Sequence, residues 1–236
     1  MARQGISWNK HGRRIMGIAS VFSALLISFA DYLLEFHKEY GVASSIVETA
    51  WADMPLWRFS VSLSLCAFLI PFYLVGFWIL STALAKSSKR IAWVVFLLFS
   101  YGVVMGSPLI HGVMSLNGVI YSYGIDQGLS HEFLVSLVEG RITTTILPVF
   151  LFHYVITWVV APAILFGYII SGKSVFKRWT AFLNPLVFLL VGVGGLYVLP
   201  QVFVYLVPGS INKGNAAMFL LATIKLWNEE EKSVVP

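Results

Sequence analysis

Charged residues are scarce in this sequence: only 11% of the residues are Asp, Glu, Lys or Arg, whereas 58% are hydrophobic. A soluble domain carries roughly a quarter charged residues. The mean hydropathy of +0.82 argues against a soluble domain, because a chain of 236 residues cannot hide so much apolar surface in one core. The composition indicates an integral membrane protein.

Cysteine is nearly missing as well. Cys66 is the only one, so an intrachain disulfide is impossible and the redox compartment cannot be inferred. The sequence also lacks the GxSxG pattern of serine hydrolases and the HExxH pattern of zinc peptidases. The stretch from Gly167 to Ser174 has the letters GxxxxGKS of a P-loop, but it leaves an apolar segment rather than a strand. No nucleotide site is predicted there, and Lys173 is interpreted as an interfacial anchor.

The few charges that are present alternate in sign between the apolar segments. Basic blocks lie at Arg3–Arg14, Lys86–Arg90 and Lys173–Arg178, and an acidic block with Asp126, Glu132 and Glu139 separates the last two. Lys and Arg concentrate on the cytoplasmic side of membrane spans. The net charge of +5 therefore reflects membrane orientation and an affinity for anionic lipid headgroups rather than nucleic-acid binding.

The pattern predicts a single all-α domain over residues 1–236, a polytopic bundle with both termini in the cytoplasm. A bilayer core needs roughly 20 apolar residues per helix. Although the N-terminal segment resembles a cleavable secretory signal, we interpret it as an uncleaved span. The compact loops favour a bacterial inner membrane. The six predicted transmembrane helices lie at about residues 15–36, 59–83, 91–116, 146–170, 182–207 and 215–227.

The long outer loop from Asn117 to Thr145 is predicted to contain a short amphipathic helix. Ser130 would cap it, and Gly140 would end it. Prolines inside the later spans predict kinks, which favour a cavity in the bundle. A break is expected at Asn184, which precedes Pro185.

Polar and ionisable residues within spans are candidates for function, because burying them in a membrane is costly. They gather in the outer halves of the predicted spans and in the outer loop. We therefore predict a polar pocket that opens outward and binds a small-molecule or lipid-like ligand. Its candidate ligand-binding residues are Asp31, His111, Glu139, Arg141, His153 and Asn212.

Two alternatives remain open. The first is a membrane-embedded metal hydrolase acting on lipid, in which His111, His153 and Asp31 would hold zinc and leave a position for activated water. Ser107-Pro-Leu-Ile-His111 resembles one fragment of the alkaline ceramidases, a family of seven-span zinc hydrolases. That resemblance implies an HxxxH pair in a late span, but Thr157 occupies the position four residues after His153.

The second alternative is a structural subunit of a membrane complex. Gly102 and Gly106 form a GxxxG spacing, which allows another backbone to approach closely. This spacing predicts either packing within one chain or a homo- or hetero-oligomer.

Overall fold

The computed structural model describes residues 10–37, 41–42 and 49–229, without the side chains at 37, 41–42, 49–50, 107–108, 139 and 143. The described residues are almost entirely helical. The described residues also form two short antiparallel strands, β1 (Phe36–His37) and β2 (Gly41–Val42). The helices are α1 (Lys10–Glu35), α2 (Leu56–Ala85), α3 (Lys89–Gly106), α4 (Val113–Asp126), α5 (His131–Leu137), α6 (Thr144–Tyr154), α7 (Ala161–Ile170), α8 (Pro185–Val198), α9 (Pro200–Phe203) and α10 (Ser210–Leu226).

Four helical stretches of the described chain are long and apolar enough to cross a membrane. They include the first four predicted spans, and the all-helical membrane architecture is thus confirmed to that extent. The stretches are Lys10–Glu35, Leu56–Ala85, Lys89–Asp126 and Thr144–Ile170.

Short turns of other helical types connect several of these helices. A 3₁₀ turn, Thr49–Ala52, precedes α2. Three π-turns join consecutive helices: Ser107–Gly112 between α3 and α4, Val138–Thr143 between α5 and α6, and Val155–Val160 between α6 and α7. Pro108 lies in the first π-turn and Pro162 follows the last. Proline cannot donate to the carbonyl four residues earlier, which loosens the helix at these points.

The predicted outer loop is largely helical, and this is a correction. Residues 117–126 continue the third helix through α4, and Ser130 caps α5 as expected by accepting a bond from the Phe133 amide at 3.2 Å. Gly140 does not end the helix, because the chain continues through the π-turn into α6. A hydrogen bond from its own backbone amide, together with one from the Ser130 hydroxyl, keeps the pKa of Glu132 in the first turn of α5 below its usual range.

The fifth and sixth segments also differ from their predicted limits. The helix expected over 182–207 begins only at Pro185 and breaks at Val198, after 14 residues. Asn184 is extended there, as the predicted break requires, and its side chain accepts a bond from the Leu186 amide at 2.8 Å while donating to the Pro162 carbonyl at 3.1 Å. The last helix, α10, starts earlier than predicted, at Ser210.

The first and last helices are antiparallel, and arginines hold their ends together. Arg13 and Arg14 donate to the carbonyl oxygens of Leu226 and Trp227 at 2.8 and 3.0 Å, and Ser28 donates to that of Gly209 at 3.1 Å. Carbonyls at a helix C-terminus lack helical partners and carry partial negative charge, so arginine stabilises them. Residues 10 and 229 therefore lie at the same end of the bundle.

We name the two ends of the bundle by their charges. The basic end contains the start of α1, the turn between α2 and α3, and the end of α10. Lys86 in that turn forms an ion pair with Glu229, which follows α10. Partial burial lowers the pKa of Lys86, and the neighbouring Lys225 and Arg13 lower it further. The acidic end contains the end of α1, with Glu35, and the α4–α5 region.

Two apolar clusters fill the bundle. The larger joins α1, α2, α3, α7 and α10 and extends to the basic end, where Leu84 and Leu226 are buried. The smaller lies at the acidic end and contains Trp51, Phe59 and Tyr121. A cavity lies between the helices in the acidic-end half.

Candidate functional site

The cavity has a volume of about 370 Å³ and is lined mainly by apolar side chains. Its size is that of sites for small organic molecules. Its floor is a group of aromatic rings: Phe77 stacks on Phe99 at 4.9 Å between centroids and meets Phe219 edge-on at 5.0 Å. Phe77 lies eight residues before the end of α2, or about 12 Å from it. The floor therefore separates the cavity from the basic end.

The central polar contact of the cavity joins α1 to the first π-turn. Nε2 of His111 lies 3.1 Å from Oδ1 of Asp31, and only 6% and 11% of the two side chains are exposed. A π-turn changes the direction in which the following residues face compared with a regular helix. Because His111 lies within such a turn, its position opposite Asp31 depends on this irregularity.

The hydrogen bonds of Ser62 indicate which ring nitrogen of His111 donates to it. Ser62 donates its only hydroxyl hydrogen to the Ala30 carbonyl at 2.9 Å, and its oxygen lies 3.0 Å from Nδ1 of His111. Nδ1 must therefore be the donor to Ser62. A neutral imidazole then has a lone pair on Nε2 and requires a protonated Asp31, whereas a charged imidazolium donates to the carboxylate.

In both arrangements one proton lies between Nε2 of His111 and Oδ1 of Asp31. The pair is therefore uncharged as a unit, whichever residue holds the proton. Burial favours such a neutral unit, because an isolated charge in a low-dielectric interior is costly. The arrangement can hydrogen-bond to a polar ligand.

The second oxygen of Asp31 continues the network into α10 and α2. Oδ2 accepts a bond from the Asn212 amide at 2.6 Å. Tyr73 donates its hydroxyl to the Asn212 side-chain carbonyl, and Asn215 donates to the Tyr73 hydroxyl at 2.8 Å. A continuous chain of side chains, all buried except the half-buried Asn212, thus connects α1, α2, the first π-turn and α10. We call this set the polar chain; its members are Asp31, Ser62, Tyr73, His111, Asn212 and Asn215.

His153 lines the same cavity from α6 but stands apart from the polar chain. It is only 1% exposed, and its Nδ1 lies 3.4 Å from the Thr157 hydroxyl. It packs against Gly106, where an added methyl group would come within 3.2 Å of the ring. Thr157 packs against Gly102 in the same way, at 2.5 Å. The GxxxG spacing is therefore used for packing within the chain, while the oligomeric state stays a prediction.

Four of the six predicted ligand-binding residues line one cavity: Asp31, His111, His153 and Asn212. Arg141 does not, because it lies in the second π-turn with an exposed side chain. The Glu139 side chain lies outside the described part of the structure.

The predicted metal ligands do not assemble into a cluster. Within the described residues there is no group of three or more His, Cys, Asp or Glu side chains with the spacing of a metal site. Both ring nitrogens of His111 are already engaged, by Ser62 and by Asp31. Metal ligation would have to break the polar chain, so this arrangement does not favour the zinc alternative.

Sequence reasoning missed Ser62 and Tyr73 as site residues, although a signal for them existed. Together with Cys66 they recur at intervals of four and seven residues, which places all three on one face of α2. Polar groups on a single stripe of an apolar helix indicate a buried polar contact. Asn215 was noticed only as the start of the sixth span, yet it lies three residues after Asn212 on the same face of α10.

Arg58 has a structural role at the acidic end. Its guanidinium donates to the carbonyls of Leu33 at 2.9 Å and Tyr32 at 3.3 Å, and also to that of Phe36. It thus caps the C-terminus of α1.

These features define a helical protein that has four helices long and apolar enough to cross a membrane, and a polar chain beside a cavity. A family model matches residues 8–229, and the chain belongs to that family, a family of unknown function (DUF6796). No curated protein and no solved structure shows detectable similarity to the chain.

Proposed function

We propose that this protein binds, and in the course of its activity translocates, a small or lipid-like ligand through a pocket that opens at the acidic end. The observation that carries the proposal is the cavity of about 370 Å³, which has an apolar wall and the polar chain on one side. A mostly apolar pocket with a few convergent polar groups is typical of small-molecule sites.

In the proposed topology the chain crosses the membrane six times. Each of the four long helical stretches crosses once, and α8 and α10 are the fifth and sixth crossings. The position of residues 10 and 229 at one end supports an even number of crossings. α10 follows α1 from the level of Ser28 to that of Arg13, and its 17 residues span about 25 Å. Because Lys and Arg concentrate on the cytoplasmic side of membrane spans, we place the basic end on the cytoplasmic side of a bacterial inner membrane.

A partly broken fifth crossing supports a transport role. Asn184 interrupts the helical path where it packs on Pro162, and Gly214 of α10 lies against Pro185. Transporters use discontinuous helices at their binding sites, and this crossing lines the cavity through Leu189 and Val193. Irregular backbone at this depth is tolerated because Asn184 is fully buried by protein.

The proposal is tested with a substitution that fills the cavity. Val103 lines the cavity, whereas its neighbour Val104 is 48% exposed on the outside of α3. We expect Val103→Trp to remove a small molecule that copurifies with the wild type in native mass spectrometry, because the indole occupies its volume. Val104→Trp, the matched control, should retain it. Equal retention by both variants, or no bound molecule in the wild type, would contradict the proposal.

A further inference from the structure

The charges around the cavity determine which ligand it would take. Two carboxylic acids line it, Asp31 and Glu35, together with His111 and His153. No lysine or arginine of the described chain is among the lining residues. Asp31 is engaged directly by His111 and Asn212, so Glu35 is the acid of the cavity wall that no hydrogen bond or ion pair from a described residue engages.

Glu35 is placed to receive a ligand. It lies one helical turn beyond Asp31 on α1, on the same face, and makes no hydrogen bond or ion pair with another described residue. Lys213 on α10 lies within electrostatic range of Glu35, but its ammonium donates its hydrogen bonds to the carbonyls of Leu206 and Pro208 at 2.7 and 2.8 Å. An acid left unpaired beside an apolar cavity is costly to ionise alone, so a positively charged ligand that supplies the counter-charge is favoured there.

The walls match the rest of such a ligand. Tyr154 and Trp158 line one side, with ring centroids 4.3 Å apart, and Tyr73 and Phe77 line another. Aromatic faces attract cations and bury apolar bodies. His153 is a further, independent observation: it is buried and lines the cavity, and its Nε2 has no hydrogen-bond partner within the described residues.

Resting on the proposed function, we infer that the pocket takes an organic cation: an amine with one positive charge and an apolar or aromatic body. The ammonium lies at Glu35 and hydrogen-bonds to Nε2 of His153 or to the polar chain, and the body lies on the aromatic floor. A single carboxyl group without a direct partner matches a single charge.

The experiment compares ligands that share a body and differ in charge. The full chain in nanodiscs is titrated calorimetrically with phenethylamine, 2-phenylethanol and 3-phenylpropionate, and with the naphthyl analogues of each. We expect the amines to bind at least tenfold more tightly than the alcohols, and the carboxylates to bind most weakly. Glu35→Gln should reduce amine affinity about tenfold and change alcohol affinity less than twofold. Glu132→Gln, at an exposed acid of α5, is the matched control and should change neither.

The possible outcomes separate this inference from the proposed function. Equal binding of amines and alcohols, abolished by Val103→Trp, would overturn the cation inference and leave the pocket as a binding site. A preference for the carboxylates would overturn it as well. No binding of any probe to the wild type would contradict both proposals.

Discussion

The two halves of the bundle satisfy their buried polar side chains in different ways. Towards the basic end, buried hydroxyls bond to backbone: Ser20 to the Gly17 carbonyl, Ser81 to that of Ala92, and Thr223 to that of Phe219. In the acidic-end half, side chains such as Asp31 and His111 bond to each other. Hydroxyl-to-backbone bonds need no second functional group, whereas a side-chain network requires several helices to be placed together.

The difference indicates that the two halves have different roles. The basic-end half is closely packed, and the buried hydroxyls of Ser20, Ser81 and Thr223 are each satisfied by a single backbone carbonyl. The acidic-end half has a cavity and a polar chain whose members depend on one another, and such coupled groups are expected where a ligand is bound. The following predictions test this contrast, from the largest expected effect to the smallest.

The largest effect is expected in the aromatic floor, where the two halves meet. Phe219 is fully buried between Tyr73 and Phe77. Phe219→Ala should lower the free energy of unfolding by about 3–5 kcal/mol, because it leaves a cavity. Phe68→Ala, at a side chain that is 78% exposed, should cost less than about 1 kcal/mol. Equilibrium unfolding in mixed micelles measures both, and equal losses would contradict the packing described.

The second prediction concerns coupling within the polar chain. His111→Ala leaves a buried Asp31 without its partner, so we expect it to destabilise more than the double variant with Asp31→Ala. The double-mutant cycle should give a coupling energy of about 1–3 kcal/mol. In the basic-end half, Ser81→Ala combined with Asp31→Ala should be additive to within about 0.5 kcal/mol. An additive Asp31–His111 pair would refute the contrast between the halves.

A third prediction concerns the cap of α1. Arg58→Ala should lower stability by about 2 kcal/mol, because charged donors to three carbonyls are lost. Arg141→Ala removes an exposed arginine at the same end and should change stability by less than about 0.5 kcal/mol. Thermal denaturation followed by intrinsic fluorescence compares them. A similar small shift in both would mean that Arg58 does not cap α1.

The smallest effect is expected at the glycine contacts. An added methyl group at Gly102 would lie 2.5 Å from the Thr157 side chain, so Gly102→Ala should cost about 1–2 kcal/mol. Gly167 has open space around its position. Gly167→Ala should be neutral or slightly stabilising, because alanine favours the helix. If Gly102→Ala were also neutral, α3 would not pack closely on the Val155–Val160 π-turn.

Much of the fold could be predicted because it depends on local chemistry. Apolar runs predicted the four long helices, Ser130 predicted the start of α5, and Asn184 with Pro185 predicted a break. The extension of the third helix to Asp126 was missed because Gly118 and Gly124 resemble loop residues. They lie on the buried face of α4, where Phe59 and Leu134 leave no space for a side chain.

The site could be predicted only in part. Membrane depth placed Asp31, His111, His153 and Asn212 in one half of the bundle. The contact between Asp31 and His111 could not be predicted, because it depends on a π-turn that shifts the helical register. Arg141 was grouped with them by sequence position, but the second π-turn keeps it at the surface.

The most direct test of the central proposal is the side from which the cavity can be reached. In a Cys66→Ser background, Ile110→Cys places a single thiol in the cavity wall, and Ser87→Cys places one at the exposed turn of the basic end. Each is treated with a membrane-impermeant maleimide on intact cells and on inverted vesicles. We predict that Ile110→Cys reacts from the side opposite to Ser87→Cys, and that adding Val103→Trp blocks its reaction. Reaction of both thiols from the same side would contradict a cavity that opens at the acidic end.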